Sequence, residues 1–202
     1  KAPVELTAGA NKELRLGRLG LDFAGASLSA EGRLGARDLN AELVLDPLPL
    51  KLLAELGLAE IEGTAKAKVN LGGTKAQPQV RLDLDVQGLK GLTAEAKKLP
   101  PARVTAKAEL ISGQLAADLG IAGLTDKPAR LHVAVPMRLA LEPFDFRLDE
   151  RSPLQGSFEA DADIGRLSRF LSLDEQKLAG ALQATIRLDG RIENPEMGGS
   201  IR

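Results

Sequence analysis

The 202-residue chain contains no cysteine, so disulfide bonds and thiolate metal sites are excluded, while the redox compartment stays open. It also lacks any apolar run near the roughly 20 residues of a membrane-spanning helix. The first residues, KAPVELTAGA, have no basic segment followed by an apolar one, as a signal peptide would. Because an alternating pattern is broken off within the final GGSIR, we expect this chain to be a piece of a longer protein.

Aromatic residues are scarce, and charge of one sign does not dominate. There is no Trp or Tyr, and the five Phe form no platform on which nucleic-acid bases could stack. The 27 basic and 28 acidic residues are interspersed and give a net charge of −1. Nucleic-acid binding needs a concentrated basic stripe, so we expect no nucleic-acid partner.

Strict alternation of apolar and polar residues, the period of a half-buried strand, recurs over most of the chain. In residues 80–86, for example, Val80, Leu82, Leu84 and Val86 alternate with charged residues. About a dozen such stretches are separated by short turns with Gly, Asn or Asp, which predicts an all-β, long antiparallel meander. The inward face of this sheet is predicted to carry Val69, Leu71, Val80, Leu82, Leu84, Val86, Val104, Leu110, Leu119, Leu131, Val133, Val135, Leu139, Ile186 and Leu188.

Two segments have helical rather than strand spacing. In DPLPLKLLAELGL, Asp46 stands where an N-cap would, Pro47 at the first helical position, and Gly57 where a helix would stop. The second segment, DIGRLSRFLSL, repeats the design with Asp163 as cap. We expect two short amphipathic helices, with apolar faces formed by Leu48, Leu52, Leu53 and Leu56 in the first and by Ile164, Leu167, Phe170 and Leu171 in the second.

An internal repeat relates residues 41–86 to residues 158–202, with an offset of 117 positions and no gap. The offset carries Asp46 to Asp163, Gly73 to Gly190 and Pro78 to Pro195. Internal repetition is typical of extended or solenoid-like architectures. We therefore treat residues 1–202 as one β-groove segment.

The glycine-rich stretches LGGTKAQPQV and LDGRIENPEM separate strands of one continuing sheet. Glycine permits positive φ in the turn, and proline is acceptable as the first residue of a strand. The Lys and Ser/Thr spacing of a phosphate-binding loop is absent, and an alternating strand follows instead of a long helix. The stretches therefore predict turns, not a nucleotide site.

These two stretches, set among alternating β repeats and preceded by short amphipathic segments that follow an Asp, resemble the periplasmic part of the TamB family within the AsmA-like group. The resemblance implies an inner-membrane-anchored protein of Gram-negative bacteria whose β-sheet crosses the periplasm as an apolar half-pipe, or β-taco. It also implies phospholipid transport to the outer membrane, and assembly of outer-membrane proteins with a BamA-like barrel, TamA. Neither the membrane anchor nor the partner-binding end can be identified in this sequence.

The apolar face must be covered by a second sheet or curl around an apolar ligand. Many inward positions are Ala and aromatics are few, which favours a lined groove over a tightly filled core. The resemblance implies that the groove takes phospholipid or an unfolded outer-membrane protein. A β-sandwich or closed barrel with a filled core, serving as a structural spacer, is the alternative. Free sheet edges near residues 1–8 and 196–202 would let copies pair as an artefact of excision.

Other candidate sites are weak. His132 alternates with apolar neighbours, so we expect it on the solvated face, and the pairs Asp83 with Asp85 and Asp161 with Asp163 lack a calcium-loop pattern. Phe144 and Phe146 are expected in the core. No nucleophile and base constellation is visible, so we expect no enzyme, cofactor or metal.

Overall fold

The computed structural model describes residues 6–8, 13–94, 96–124, 127–163 and 180–202. These residues form fourteen strands, one α-helix and a short 3-10 helix (Ala96–Lys98). In chain order the elements are β1 (Leu6–Ala8), β2 (Leu14–Phe23), β3 (Ala26–Leu34), β4 (Leu39–Pro49), α1 (Lys51–Glu55), β5 (Ile61–Gly73), β6 (Pro78–Gly91), β7 (Ala102–Ile111), β8 (Gln114–Ala122), β9 (Lys127–Pro136), β10 (Arg138–Leu141), β11 (Phe144–Arg147), β12 (Gln155–Asp163), β13 (Ala181–Arg191) and β14 (Asn194–Ile201).

Twelve of the strands form one antiparallel sheet in the order of the sequence, from β1 to β9 and then β12 to β14. The remaining two, β10 and β11, pair with each other as a separate hairpin. This arrangement confirms the predicted all-β curled meander, and among the described residues the sheet does not close into a barrel. Short turns between alternating segments leave most strands only their sequence neighbours as partners, and β9 pairs with β12 because the hairpin β10–β11 stands outside the main sheet.

The register aligns apolar residues across the sheet in continuous rows. In antiparallel sheets, residues directly opposite each other point to the same face, so each row is a line of side-chain contacts. Two adjacent rows, which we call the central rows, run from β2 to β13 or β14. The first contains Leu21, Leu28, Leu45, Ala67, Leu84, Ala106, Leu119, Leu131, Phe158 and Ile186. The second contains Leu19, Ala30, Leu43, Val69, Leu82, Ala108, Ala117, Val133, Gly156, Leu188 and Met197.

The first predicted helix begins later than its sequence signals indicate. Asp46 and Pro47 lie in β4, which runs to Pro49, and α1 covers only Lys51–Glu55. The register between β4 and β5 shifts between Leu45 and Leu48, and a proline is tolerated at such an irregularity because it needs no ladder donor there. The predicted cap at Asp46 is therefore wrong: its carboxylate lies 2.9 Å from Nζ of Lys66.

Leu48 was also placed in this helix, but it pairs with Ala65 in the sheet. Gly57 follows the last turn with φ of +69°, as predicted for the residue after a helix end. Of the second predicted helix, residues 164–173 lie outside the described residues. Its expected cap, Asp163, is the last residue of β12 and pairs with Ala181.

Positions 117 apart have the same backbone conformation at both glycine turns. Gly73 and Gly190 have φ of +82° and +90°. Gly73 pairs with Pro78, the first residue of β6, and Gly190 pairs with Pro195, the second residue of β14. A Cβ on Gly73 would lie 2.7 Å from the carbonyl oxygen of Gln77, and one on Gly190 would lie 2.9 Å from that of Asn194. Both turns therefore require glycine for its positive φ and for the close approach of the backbone.

The chain buries little of its apolar surface. Its accessible surface is 13733 Å², whereas a compact protein of this size would expose roughly 9,000 Å². No large side chain among the described residues is completely buried. The buried apolar residues are few: Leu39, Leu50, Ala65, Val86, Ala102, Leu110, Ala134, Val135, Ala140 and Ala162. In the described ranges a single sheet has no second layer on most of its apolar face, which agrees with both observations.

Candidate functional site

The candidate site is the apolar face of the sheet. Fourteen of the fifteen residues predicted to line it lie in the main sheet, and the strand register brings them together in four adjacent rows. Eight of them belong to the central rows: Val69, Leu82, Leu84, Leu119, Leu131, Val133, Ile186 and Leu188. The others flank these rows, with Leu71, Val80, Leu110 and Val135 on one side and Val86 and Val104 on the other.

Helix α1 covers the apolar face at one end of the strands. Leu50, which directly precedes the helix, is 4 % exposed and packs against Ala65 of β5 and Val86 of β6. Leu53 of the helix packs on the same cluster. The row that contains Val86 and Val104 is therefore closed to solvent near α1.

The hairpin β10–β11 lies at the opposite end of the strands. The N–H of Leu141 donates to the carbonyl oxygen of Lys75 at 2.6 Å, and Nζ of Lys75 donates to Oε2 of Glu142 at 2.6 Å. These contacts hold β10 against the start of β6. Leu110 of the sheet and Ala140 of the hairpin are both buried here.

Leu139 was predicted to continue the apolar row of β9, and this prediction is wrong. β9 ends at Pro136, where its partner β8 begins, and Leu139 pairs with Phe146 in the hairpin. The N–H of Met137 bonds to the carbonyl oxygen of Gly113 in the neighbouring turn. Because β8 offers no residues beyond Gln114 for pairing, the chain leaves the sheet after Pro136 although the alternating pattern continues.

Between α1 and the hairpin, the central rows are not covered by any described element that packs on them. Their leucines and valines are half-buried, and Leu43 is 42 % exposed. Strands in a sheet lie about 4.8 Å apart, so a row across ten strands is roughly 43 Å long. The result is an apolar band open to solvent along most of the sheet.

Several residues of this band were not selected from the sequence. Phe158 sits between Leu131 and Ile186 in the first central row, and Leu43 lies opposite Val69 in the second. In QGSFEADAD, the alternation of Phe158 with polar and charged residues indicates that Phe158 lies on the apolar face. The register, which no single strand reveals, was needed to put it beside Leu131.

The opposite face of the sheet is charged. Successive strands place Lys68, Asp83, Lys107, Asp118 and His132 opposite one another, so that the signs of the charges alternate across β5 to β8 and His132 of β9 follows Asp118. Nδ1 of His132 lies 2.7 Å from Oδ1 of Asp118. This places His132 on the solvated face, as the sequence predicts.

Of the carboxylates considered as cation sites, Asp83, Asp85 and Asp161 contact basic side chains. Oδ1 and Oδ2 of Asp85 accept from Nε and Nη2 of Arg103, each at 2.9 Å, and Oδ2 of Asp161 accepts from Nζ of Lys127 at 2.8 Å. Asp83 lies 3.9 Å from Nζ of Lys107. Within the described part of the chain, no group of three potential ligands stands close enough to hold a metal ion.

These contacts lower the pKa of two carboxyl groups. The hydrogen bonds from Arg103, then from Gln87, hold the pKa of Asp85 below its ordinary value, and the hydrogen bond from Lys127 does the same for Asp161. A carboxyl group whose pKa is lower in the folded state stabilises the fold above its ordinary pKa, and the contribution disappears as the pH falls through the lowered value.

We therefore expect the free energy of unfolding to decrease as the pH falls below about 4. In Asp85→Asn this decrease should be smaller than in the wild-type chain, because one of the titrating groups is gone. Urea unfolding at a series of pH values measures it. Asp22→Asn, for whose carboxyl no such contact is seen, serves as the control, and an equal change in both variants would contradict the assignment.

Phe144 and Phe146 are not part of a core, contrary to expectation. They are 76 % and 57 % exposed. Ala140, which is buried, pairs with Asp145 on one face of the hairpin. The phenylalanines alternate with Asp145 and so stand on the other face, which is turned to solvent.

No helix among the described residues is long and apolar enough to cross a membrane. Comparison with protein-family models found no matching family, and comparisons with curated proteins and with solved structures found no match.

Proposed function

We propose that the apolar face binds the acyl chains of phospholipid and that the chain is a segment of a lipid-carrying bridge. One observation carries the proposal: the central rows form a continuous apolar band that no second layer covers in the part of the chain that the structure describes. A soluble protein seldom exposes a contiguous apolar surface of this size unless something binds there.

Acyl chains suit this surface because their binding needs no specific polar contact. Burial of each CH₂ group contributes about 0.8 kcal/mol, and the band is long enough for an extended chain along its whole length. The central rows also present small residues at intervals, at Ala67, Ala106, Ala108, Ala117 and Gly156. A flexible hydrocarbon chain can adapt to such variation in side-chain size.

The wider setting rests on the resemblance to the TamB and AsmA-like family. In this proposal the segment stands in the periplasm as part of an inner-membrane-anchored protein of a Gram-negative bacterium. It carries phospholipid toward the outer membrane, holds unfolded outer-membrane proteins during their assembly with a BamA-like barrel (TamA), or does both.

Photo-crosslinking in cells tests the proposal. A photo-reactive amino acid is placed singly at Val69, Leu82 or Val133 of the apolar face, in chains exported to the periplasm of a Gram-negative bacterium grown with radioactive phosphate. We expect labelled phospholipid to be attached after irradiation, because these positions lie in the second central row.

Matched positions on the charged face are Lys68, Asp83 and His132, each adjacent in sequence to one of the three. We expect no label there. If neither set captures phospholipid, the proposal fails and a structural spacer, whose apolar face packs against protein, replaces it.

A further inference from the structure

Two arginines stand directly opposite each other in the hairpin β10–β11. Arg138 of β10 pairs in register with Arg147 of β11. Like charges in directly opposite positions repel and destabilise strand pairing. In a hairpin with four residues in each strand, such a pair calls for a reason other than stability.

One carboxylate positions both guanidinium groups. Nε of Arg147 donates to Oδ1 of Asp145 at 2.8 Å, and Nε of Arg138 lies 3.4 Å from Oδ2 of the same residue. A guanidinium has five N–H donors, so each arginine keeps donors on Nη1 and Nη2 that these contacts do not use. Together Arg138, Arg147 and Asp145 have a net charge of +1.

The arginine pair lines a cleft of about 510 Å³ between the hairpin and the end of the sheet. Leu110, Met137 and Leu139 line the same cleft. Leu110 belongs to the row that directly flanks the central rows, because it pairs with Val80. The cleft is therefore charged on one side and borders the apolar face on the other.

We infer that Arg138 and Arg147 bind the phosphate group of a phospholipid whose acyl chains lie on the apolar face, an inference that rests on the proposed function. Guanidinium groups match the geometry of phosphate oxygens and form strong charge-assisted hydrogen bonds with them. A phosphodiester has one negative charge, whereas inorganic phosphate carries more at neutral pH. The carboxylate of Asp149, also in the cleft, brings the net charge of Arg138, Arg147, Asp145 and Asp149 to zero, so it disfavours the more highly charged anion more strongly.

Calorimetric titration of the whole chain tests this inference. The probes are a short-chain phosphatidylglycerol below its micelle concentration, the corresponding diacylglycerol, and inorganic phosphate. In R138Q/R147Q we expect the affinity for phosphatidylglycerol to fall about 10- to 100-fold, as for lost hydrogen bonds to a charged group, while diacylglycerol binding is unchanged. The control R81Q/R187Q removes two arginines of the charged face and should leave all three affinities as they are.

Equal phosphatidylglycerol affinities in the wild type and R138Q/R147Q would overturn the inference and leave the proposed function standing. A wild-type chain that binds neither acyl probe would remove both. Inorganic phosphate bound as tightly as phosphatidylglycerol would overturn the assignment to a lipid.

Both arginine side chains are 71 % exposed, so we expect these variants to fold, which circular dichroism checks. R138K/R147K keeps both positive charges but loses the planar guanidinium groups. We expect its affinity for phosphatidylglycerol to lie between those of the wild type and R138Q/R147Q. An affinity for phosphatidylglycerol no better than that of R138Q/R147Q would also contradict the inference.

Discussion

Replacing Leu82 and Leu119 together by glutamate is expected to reduce phospholipid binding more than about 100-fold, because a bound acyl chain would have to strip water from ionised carboxylates. Leu82 lies in β6 and Leu119 in β8, one in each central row, and both are half-buried. Neither belongs to the cluster under α1. Titration of the variant with a pyrene-labelled phospholipid measures the loss.

Thr105→Glu with Thr185→Glu is the matched control. It adds the same charge at exposed positions of the opposite face, and we expect phospholipid binding to be unchanged. An equal loss in both variants would mean that net charge, not the apolar band, governs binding. Full binding by L82E/L119E would show that the lipid does not lie on the central rows.

Leu50→Ala is expected to lower the free energy of unfolding by about 2–4 kcal/mol, the cost of removing a buried leucine whose cavity cannot fully close. Leu50 is among the most buried residues in the described part of the chain, and it joins β4 and α1 to Ala65 and Val86. Because few other residues are buried, this cluster provides a large share of the tertiary packing. Urea unfolding followed by circular dichroism measures the change.

Leu56→Ala removes the same atoms six residues later, from a side chain that is 71 % exposed. We expect a change of at most about 0.5 kcal/mol. Similar losses in the two variants would indicate that α1 is held by its own helical turn and not by contact with the sheet.

The strands were predictable because each one has a solvated face and an apolar face. In residues 80–86 the alternation alone identifies which side chains share a face, and a shift of one residue would exchange all of them. The glycine turns at Gly73 and Gly190 were predictable for a similar reason, since only glycine tolerates both their φ and the nearby carbonyl oxygen.

The helix start was not predictable from its local signals. Asp46 followed by Pro47 is typical of an N-terminus, but β5 provides ladder partners for Leu48 and Pro49, and strand pairing continues past the proline. Tertiary hydrogen bonding outweighed local preference here, as it often does for short helices that are marginal by themselves.

The sequence by itself determined the alternating strands of the main sheet, their antiparallel order and which of their side chains share a face, because these depend on local alternation and on short connections. Tertiary structure alone decided the extent of the open face. Leu139 and Phe146 continue the alternating pattern yet leave the sheet, since β8 has no more length to pair with β9. The departure of the chain from the sheet also pairs Arg138 with Arg147, which are nine positions apart. It places both arginines in the same cleft as Leu110, which is distant from them in sequence. Such juxtapositions depend on strand length and register across the sheet, which no single segment encodes.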